Sequence, residues 1–443
     1  MVDMKELLHA TFPDTDRERW LKQLEKDLKG IAVQDALEFE DPIEEIGFKS
    51  YFHWSEKLAD TKQTAFNSTR SFKTNNDWII YQETAIQDTK KANKAILDNL
   101  MMGCNGIGFP SSNDYSSILN EVQLEYIYSD FNIASPEEMN AILALLPEQR
   151  DVTFSFDPLT AGEPEKIVPS FRQCADMQNV RAFEIDNTVF ASAGANITQQ
   201  LAIVCSQVKT YFELLTEAGE NPDQIADKLQ IKTGIGSNYV FEIAKFRALR
   251  LLLDNILEAY GVTAGKQIRL KAQSLFLNKS LEDPYTNLLR MTTEGMSAAI
   301  GGVDILHLQP YDTWSETGPG FFSYRMANNI SNILKEESFF DKVSDAAGGT
   351  FAIEAATDIL SDAAWELFRK IESEGGFLKA TDFIHSEIER VAKTRIELLK
   401  NKTNKLIGIN IFPNPDATSL IWKVPANSPE PLILELHKEG GDA

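Results

Sequence analysis

Apolar residues recur along most of the chain in two patterns, short runs typical of strands and longer stretches with helical spacing. The strand-like runs lie at 106–109, 125–128, 152–156, 180–186, 229–233, 267–274 and 303–309, with an eighth strand expected. The helical stretches lie at about 86–101, 136–146, 196–217, 238–260, 284–300, 320–338, 355–374 and 377–402. Strands that alternate with helices over some 250 residues predict an α/β fold, a (βα)8 TIM barrel. A doubly wound open sheet is the alternative, but no strand is followed by a GxGxxG turn.

The N-terminal region has a different pattern. A capping box over 14–18 predicts a short amphipathic helix that ends at Gly30, and the weaker periodicity from 31 to 77 indicates an extended arm. We therefore expect three parts: an arm for subunit contact (1–76), the barrel (77–414) with a late strand at 406–411, and an irregular C-terminal tail (415–443). The aromatic residues expected to contact a partner are Trp20, Phe48, Tyr51, Phe52 and Trp54. Packing of these rings on their own domain is the alternative.

Composition narrows the class of protein. The net charge of −23 argues against binding to nucleic acid or to an anionic membrane surface, because both would be repelled. Cys104, Cys174 and Cys205 are odd in number and far apart, which predicts buried reduced thiols and neither a disulfide framework nor a zinc site. Without an export signal or a membrane-spanning run, a cytoplasmic protein is expected.

Polar residues at the predicted strand ends are the candidates for chemistry, since barrel enzymes place their sites there. They are Asp157, Asp186, Asn187, Gln273, Ser274, His307 and Gln309. These residues could bind a ligand, or they could cap helices and satisfy loop backbone, and the sequence leaves both possibilities open. The histidine spacing gives no support to a metal site.

Several stretches together resemble a known family. They include DWIIYQETAIQDTKKANKAILDNLMMGCNGIGF (77–109), ASAGANITQQLA (191–202), GIGSNYVFEIAKFRALRLLLDNI (234–256) and EGMSAAIGGVDILHLQPYD (294–312). In order, and over most of 77–414, they are similar to the acyl-CoA-binding barrel of methylmalonyl-CoA mutase. Carried over by motif, the catalytic tyrosine and histidine positions of that family fall on Glu83, Thr188, Val189 and Lys271. The resemblance thus implies that this chain has no catalytic residues and binds no cofactor or metal itself.

The resemblance also implies a role. It indicates the small subunit of a heterodimeric, adenosylcobalamin-dependent isomerase of propionate metabolism, whose large catalytic subunit binds the acyl-CoA and interconverts (R)-methylmalonyl-CoA and succinyl-CoA. Because the match ends near Pro413, we expect no C-terminal cobalamin domain and no cobalamin bound by this chain alone. Leu270 and Leu308 occupy positions where the family has small residues, and we expect them to fill the substrate channel. The alternatives are a substrate-binding catalytic subunit of a related acyl-CoA mutase whose cobalamin domain is a separate chain, and a free-standing barrel used for binding or assembly.

Overall fold

The structure is a computed structural model that describes residues 16–52, 73–84, 88–263, 266–280, 282–416 and 420–421. Trp54 and most of the predicted C-terminal tail lie outside these residues. The division into arm, barrel and tail therefore stays a prediction as far as its outer limits are concerned.

The described N-terminal region contains two helices and a hairpin. They are α1 (Arg17–Asp27), α2 (Val33–Leu37), β1 (Glu38–Asp41) and β2 (Ile46–Lys49), and the two strands pair antiparallel. The helix α1 begins one residue later than the capping box predicts, because the Asp16 side chain accepts a hydrogen bond from Arg19 N at 2.8 Å. The stretch expected to be extended thus forms a hairpin, since Phe39 and Phe48 pair across it.

The main body is a barrel of parallel strands, which confirms the predicted fold class. Its strands are β3 (Ile79–Glu83), β4 (Gly106–Phe109), β5 (Tyr128–Asn132), β6 (Asp151–Ser155), β7 (Val180–Arg181), β8 (Phe183–Asp186), β9 (Leu229–Ile235), β10 (Arg269–Ser274) and β11 (Ile305–His307). The segments β7 and β8 are two halves of one strand position that is interrupted at Ala182. The first half pairs with β6 and the second with β9. Pairing of β11 with β3 completes the ring.

Helices surround this barrel. The helices are α3 (Thr89–Met101), α4 (Tyr115–Ile118), α5 (Pro136–Leu143), α6 (Ile167–Cys174), α7 (Thr188–Ser192), α8 (Ile197–Glu217), α9 (Pro222–Asp227), α10 (Tyr239–Ala259), α11 (Thr286–Gly301), α12 (Phe321–Asn332), α13 (Phe351–Ser373) and α14 (Thr381–Lys400). Side-chain caps define the start of the long helices, for example Asn196 before α8 and Asn238 before α10. The C-terminal end of α11 is set by Gly302, whose φ of +84° suits glycine.

One predicted strand is wrong, one is displaced along the chain, and several short helices were not predicted. Residues Leu124–Tyr126 form a 3-10 turn, so the strand expected at 125–128 begins only at Tyr128. The late strand expected at 406–411 is a series of turns with a single bridge between Ile407 and Ile411. The eighth strand is Ile79–Glu83. Short elements such as α9 span fewer than two turns, and such lengths carry too little periodicity to be recognised in a sequence.

The hydrophobic core lies mainly between the strands and the helices. Phe154, Phe183, Ile231 and Leu270 are fully buried there together with side chains of the long helices α8 and α10. Because side chains alternate along a strand, the residues between these apolar ones point toward the barrel axis. The inward-facing side chains of the strands therefore lie along the axis, and they form the candidate site.

Candidate functional site

Charged and polar side chains fill the middle of the barrel axis. At the centre lies Lys271 of β10, which is 1% exposed. Its Nζ donates to Asp130 Oδ2 at 2.5 Å and to Glu184 Oε2 at 3.0 Å, and it stands 4.0 Å from the ring centroid of Tyr81. One ammonium group thus bridges two buried carboxylates from β5 and β8, two strand positions that are separated by β6.

Neutral side chains satisfy the remaining lone pairs of the two carboxylates. The Tyr81 hydroxyl donates to Asp130 Oδ2 at 3.1 Å, and the Ser155 hydroxyl lies 2.6 Å from Asp130 Oδ1 and 3.0 Å from Glu184 Oε1. The amide of Gln230 donates to Glu184 Oε2 at 2.6 Å and to the Tyr128 hydroxyl oxygen at 2.9 Å. These side chains come from β3, β5, β6, β8 and β9, and they form one continuous network across the axis.

Burial and the neighbouring charges shift the pKa of each ionisable group in this network. Burial acts to raise the pKa of both carboxylates, but the neighbouring cations Lys271 and Lys232 outweigh it for Glu184 and hold its pKa at about 2. Burial and the adjacent Glu184 raise the pKa of Asp130. Although burial disfavours its charged form, Lys271 has a raised pKa because both carboxylates face it. The ammonium group is therefore not available as a base or a nucleophile near neutral pH.

A second layer lies nearer the ends of the strands. His307 is 1% exposed, its ring stands 5.0 Å from that of Tyr81, and its Nδ1 is 3.1 Å from Gln273 Oε1. Burial lowers the pKa of His307 to about 4, with the nearby Glu83 opposing the shift, so the imidazole is neutral at physiological pH. Glu83 is exposed to solvent, because its side chain lies in the mouth of the barrel.

The four positions carried over from the family do not form one site in this structure. Glu83 and Lys271 both face the axis and influence each other electrostatically. Thr188 instead donates to Asp186 Oδ1 at 2.5 Å at the start of α7. Val189 is 37% exposed and lines an apolar groove of about 680 Å³ with Phe190 and Phe377, outside the axis. The assignment of these positions as lost catalytic residues stays a prediction.

The expectation that leucines fill the channel is wrong. Lys271 points into the axis, so its neighbour Leu270 points outward, where it belongs to the hydrophobic core. Leu308 packs outward as well, with its Cδ1 3.1 Å from where a side chain on Gly295 of α11 would begin. The axis is filled by the ion network and by aromatic rings instead.

Most of the polar residues at the strand ends form hydrogen bonds with neighbouring residues of the chain. Asp157 accepts from the Tyr211 hydroxyl at 2.8 Å and from the backbone N of Asp186 at 3.1 Å. Ser274 accepts from Gln309 N at 2.9 Å, and Asn187 donates to Gln200 O at 3.3 Å. Of the two possibilities left open by the sequence, these side chains therefore fit hydrogen bonding within the fold better than ligand binding.

The sequence did contain a signal for the axis residues that were missed. In β9 the residues Gln230, Lys232 and Gly234 alternate with Ile231 and Thr233, and Tyr128 and Asp130 of β5 show the same period of two. Polar residues with that period on several strands indicate a polar barrel interior. Their pairing could not be read from the sequence because it joins residues as far apart as 130 and 271.

Cys104, Cys174 and Cys205 are free and buried, as predicted, and burial raises the pKa of Cys104 to about 12 and of Cys174 to about 11. In the described ranges, no group of three or more histidine, cysteine, aspartate or glutamate side chains could hold a metal ion.

Among the helices that the structure describes, none combines the length and the apolar character that crossing a membrane would require.

Comparison with known proteins decides the family. Residues 165–428 match the family model described as methylmalonyl-CoA mutase, which is more than half of the chain. The chain belongs to the methylmalonyl-CoA mutase family. The resemblance inferred from the sequence motifs is thereby confirmed.

Several relatives of this mutase family member are named as small subunits. The methylmalonyl-CoA mutase small subunit of Porphyromonas gingivalis is 30% identical, with 94% of this chain and 72% of the relative covered. The small subunits of Streptomyces virginiae and Propionibacterium freudenreichii subsp. shermanii are 28% and 25% identical and cover 92% and 98% of this chain. For a mycobacterial protein named as a probable small subunit, the match spans 49% of the relative.

Adenosylcobalamin, which the resemblance implies for the holoenzyme, does not fit the described residues of this mutase family member. The two described histidines are His307, which is buried against Tyr81, and His385, which lines the outer apolar groove. Neither imidazole stands open above the strand ends where a cobalt ligand would be needed. We therefore derive no catalytic step that passes through the cofactor.

Proposed function

We propose that this chain is the small, non-catalytic subunit of a heterodimeric adenosylcobalamin-dependent methylmalonyl-CoA mutase. In this assembly the large subunit binds the acyl-CoA and the cofactor and interconverts (R)-methylmalonyl-CoA and succinyl-CoA. The names of the relatives support the assignment. The observation that carries it is the filled axis, with Lys271 bound between Asp130 and Glu184.

A filled axis argues against a substrate channel. An extended thioester would have to displace Lys271 from its two carboxylates and separate Tyr81 from Asp130. Breaking one buried ion pair of this kind costs about 3–5 kcal/mol. The thioester carbonyl has neither a positive charge nor a hydrogen-bond donor, so it would not replace the interaction of Lys271 with the carboxylates. The alternative of a substrate-binding catalytic subunit thus receives no support from the axis.

The N-terminal region supplies a surface for the partner. Helix α1 has no fully buried residue, and Trp20 on it stacks on Tyr51 with ring centroids 4.0 Å apart. Trp20, Leu21 and Tyr51 line a groove of about 470 Å³ between this helix and the hairpin. We assign the partner contact to this groove, because a partly exposed aromatic pair beside a groove with a charged rim is typical of interface hot spots.

Phe48 and Phe52 have a different role within the predicted interface set. Phe48 is 8% exposed and packs at 5.4 Å from the ring of Phe241 on α10, while Phe52 lies against the same hydrophobic core. These two rings hold the arm on the barrel. They would support the partner contact indirectly by fixing the position of Trp20 and Tyr51.

The thiols and the charge support our proposal for the cellular compartment. Three unpaired buried cysteines favour a reducing compartment, and a net charge of −23 disfavours binding to anionic membranes. We place the assembly in the cytoplasm on these grounds.

Purification of the tagged chain from its native source tests the assignment. We expect a larger mutase-like chain at a 1:1 ratio, identified by mass spectrometry, and activity only in the complex. Turnover of methylmalonyl-CoA at enzyme-like rates by this chain with adenosylcobalamin and a separate cobalamin-binding chain would instead support the alternative. Recovery of the chain without a mutase-like companion would favour the free-standing barrel.

Interface variants separate the two groups of aromatic residues. Trp20→Ala and Tyr51→Ala should each weaken the complex at least tenfold in surface plasmon resonance while leaving the thermal unfolding of the isolated chain nearly unchanged. Phe48→Ala is the matched control, because it should lower the stability of the isolated chain first. Unchanged affinity in both Trp20→Ala and Tyr51→Ala would remove the partner contact from this groove.

A further inference from the structure

A cavity of about 310 Å³ lies on the face of the barrel where the strands end, outside the axis network. It is lined by the hairpin turn 41–44, by the first residues of α8 and α10, and by Arg395 of α14. Its volume is at the lower end of the range for small-molecule sites. The elements that meet here come from distant parts of the chain, so the cavity depends on the tertiary fold.

Specific hydrogen bonds hold the hairpin turn over the cavity. Asn196 donates to Ile43 O at 2.9 Å, and the backbone N of Ile197 donates to Glu44 Oε2 at 2.8 Å. On the other side Asn238 lies 3.3 Å from Asp41 Oδ2. The turn is therefore fixed at three points, and the second oxygen of Glu44, Oε1, lies 3.9 Å from Arg395 of α14.

The polar part of the lining contains more acceptors than donors. Gln200 is 6% exposed, and its Nε2 donates to Ala195 O at 2.9 Å, which fixes the orientation of the amide. Its Oε1 accepts no hydrogen bond from any residue in the described part of the chain. A buried amide oxygen without a donor is unfavourable, so this atom indicates a missing donor in the cavity.

The charges around the cavity are also unbalanced. Three carboxylates, those of Asp41, Glu44 and Glu242, face two cations. Lys245 pairs with Glu242 at 2.5 Å, whereas Arg395 remains 3.9 Å from Glu44 Oε1 and donates to Gly194 O at 2.9 Å. The ion pair of Glu44 with Arg395 is thus longer than a hydrogen bond, although Glu44 is only 7% exposed.

We propose that this cavity binds a small organic cation, a primary ammonium or guanidinium compound, with its charge directed toward Glu44 and Gln200. Such a group supplies the donor that Gln200 lacks and brings a positive charge within hydrogen-bond distance of Glu44, which Arg395 approaches only to 3.9 Å. A water molecule occupies about 30 Å³ in the liquid, so the cavity holds the equivalent of roughly ten waters or a ligand of similar size. The apolar side chains of Leu275 and Leu399 in the lining suit a methylene chain.

Binding is coupled to protonation. Burial raises the pKa of Glu44 to about 7; Arg395 and the N–H of Ile197 oppose the shift, while Asp41 and Glu242 add to it. A bound cation favours the ionised carboxylate, so binding releases a proton near neutral pH. The affinity for the cation therefore increases as the pH rises from 6 to 8.

Isothermal titration calorimetry of the full chain with agmatine tests the proposal, alone and in complex with any partner that copurifies. We expect saturable 1:1 binding, a proton release seen as a dependence of the heat on the ionisation enthalpy of the buffer, and tighter binding at pH 8 than at pH 6. Pentanol and valerate, which lack the positive charge, should bind at least tenfold more weakly. Glu44→Gln, which keeps an acceptor for Ile197, should weaken agmatine binding at least tenfold, whereas Glu366→Gln on the exposed face of α13 should leave it unchanged.

A second variant covers the case in which Glu44→Gln does not fold. Leu277 is half-buried and lines the cavity, so Leu277→Trp should occupy the space and abolish agmatine binding while circular dichroism remains native. Absence of saturable agmatine binding by the folded protein at millimolar concentration would overturn the proposal. So would equal binding of valerate, or an unchanged affinity in a folded Glu44→Gln variant. None of these outcomes bears on the proposed subunit role.

Discussion

The two faces of the barrel strands follow different physical rules. On β10, Leu270 points outward into the apolar layer under the helices, whereas its neighbour Lys271 points into the axis and bridges Asp130 and Glu184. The outer layer is stabilised by the removal of apolar surface from water, about 25 cal/mol per Å², and is sensitive to volume. The axis has charges that gain their stability only from one another.

This difference determines which changes each face tolerates. An apolar layer adapts to a small loss of volume by partial relaxation, so its losses are graded. A closed ion network leaves an uncompensated charge whenever one member is removed, so its losses are large and depend on pH. The barrel can therefore be intact as a scaffold while its axis is unsuited to a passing ligand.

Lys271→Met should have the largest effect. The substitution leaves Asp130 and Glu184 buried without their shared cation, at a cost of about 3–5 kcal/mol in the free energy of unfolding. Urea denaturation at pH 7.5 measures it. The triple variant with Asp130→Asn and Glu184→Gln should recover more than half of the loss, because the amides keep the shape and many hydrogen bonds. A loss below about 1 kcal/mol in the single variant would mean that the network is not closed.

Leu270→Ala tests the opposite face of the same strand. Loss of a fully buried leucine should lower the free energy of unfolding by about 2–5 kcal/mol through the cavity that it leaves. This loss should be the same at pH 5 and pH 8. The loss in Lys271→Met should instead shrink at pH 5, because protonation removes the uncompensated charges. Equal pH dependence in the two variants would contradict the division between the faces.

The sequence predicted the strands far better than the direction of their side chains. Runs such as Phe183, Leu229 and Ile231 gave the strands, because local periodicity is enough to recognise them, but Leu270 was expected to point into the channel and points outward. It also placed the starts of α8 and α10 within one residue, since the capping residues Asn196 and Asn238 act within three positions of themselves. The late strand failed because its apolar residues fold into turns held by Asn410, whose Nδ2 donates to Leu399 O and Asn404 O.

The contents of the axis could not be predicted because they depend on contacts between distant residues. The resemblance placed Lys271 and Glu83 at family positions, but nothing local indicated that Asp130 and Glu184 would neutralise Lys271. The inward or outward direction of Leu270 required the register of β10 with its neighbours, because a shift of one residue reverses every side chain. For the same reason the cavity beside Glu44 had no signal in the sequence.

His307→Asn probes the axis through pH. The pKa of His307 is about 4 in the folded chain and near 6.5 in the unfolded one, so the unfolded state binds a proton first. The stability that depends on its neutral form is present above pH 6.5 and is lost as the pH falls from 6.5 toward 4. The variant lacks this loss, so the stability of the wild type relative to the variant should fall by about 3 kcal/mol between pH 7 and pH 4. Urea denaturation at several pH values would show it, and a constant difference would contradict the burial of a neutral imidazole.

Gly108→Ala should have the smallest effect of the four and reports how tightly the axis is packed. A Cβ at this inward position of β4 would lie 2.7 Å from Glu83 Cβ and 3.0 Å from Tyr81 Cζ, with the tyrosine hydroxyl closer still. Overpacking of this kind costs about 1–3 kcal/mol, measured by urea denaturation. The control is Gly47→Ala in the hairpin, where a Cβ meets no atom within 4 Å and the change should stay below about 1 kcal/mol.

Tyr81→Phe, alone and combined with Gly108→Ala in a double variant, tests whether the tyrosine hydroxyl causes the loss of stability in Gly108→Ala. Removal of the hydroxyl relieves the closest contact of the new methyl group, although it also takes one hydrogen bond from Asp130, which keeps its contacts with Lys271 and Ser155. The double variant should therefore be more stable than the sum of the two single losses predicts, by about 0.5 kcal/mol or more. Strict additivity would mean that the new methyl group is accommodated without contacting Tyr81, and hence that the axis retains room beside β4. An axis with that much room could still admit part of a ligand, so this cycle also limits how completely the channel is closed.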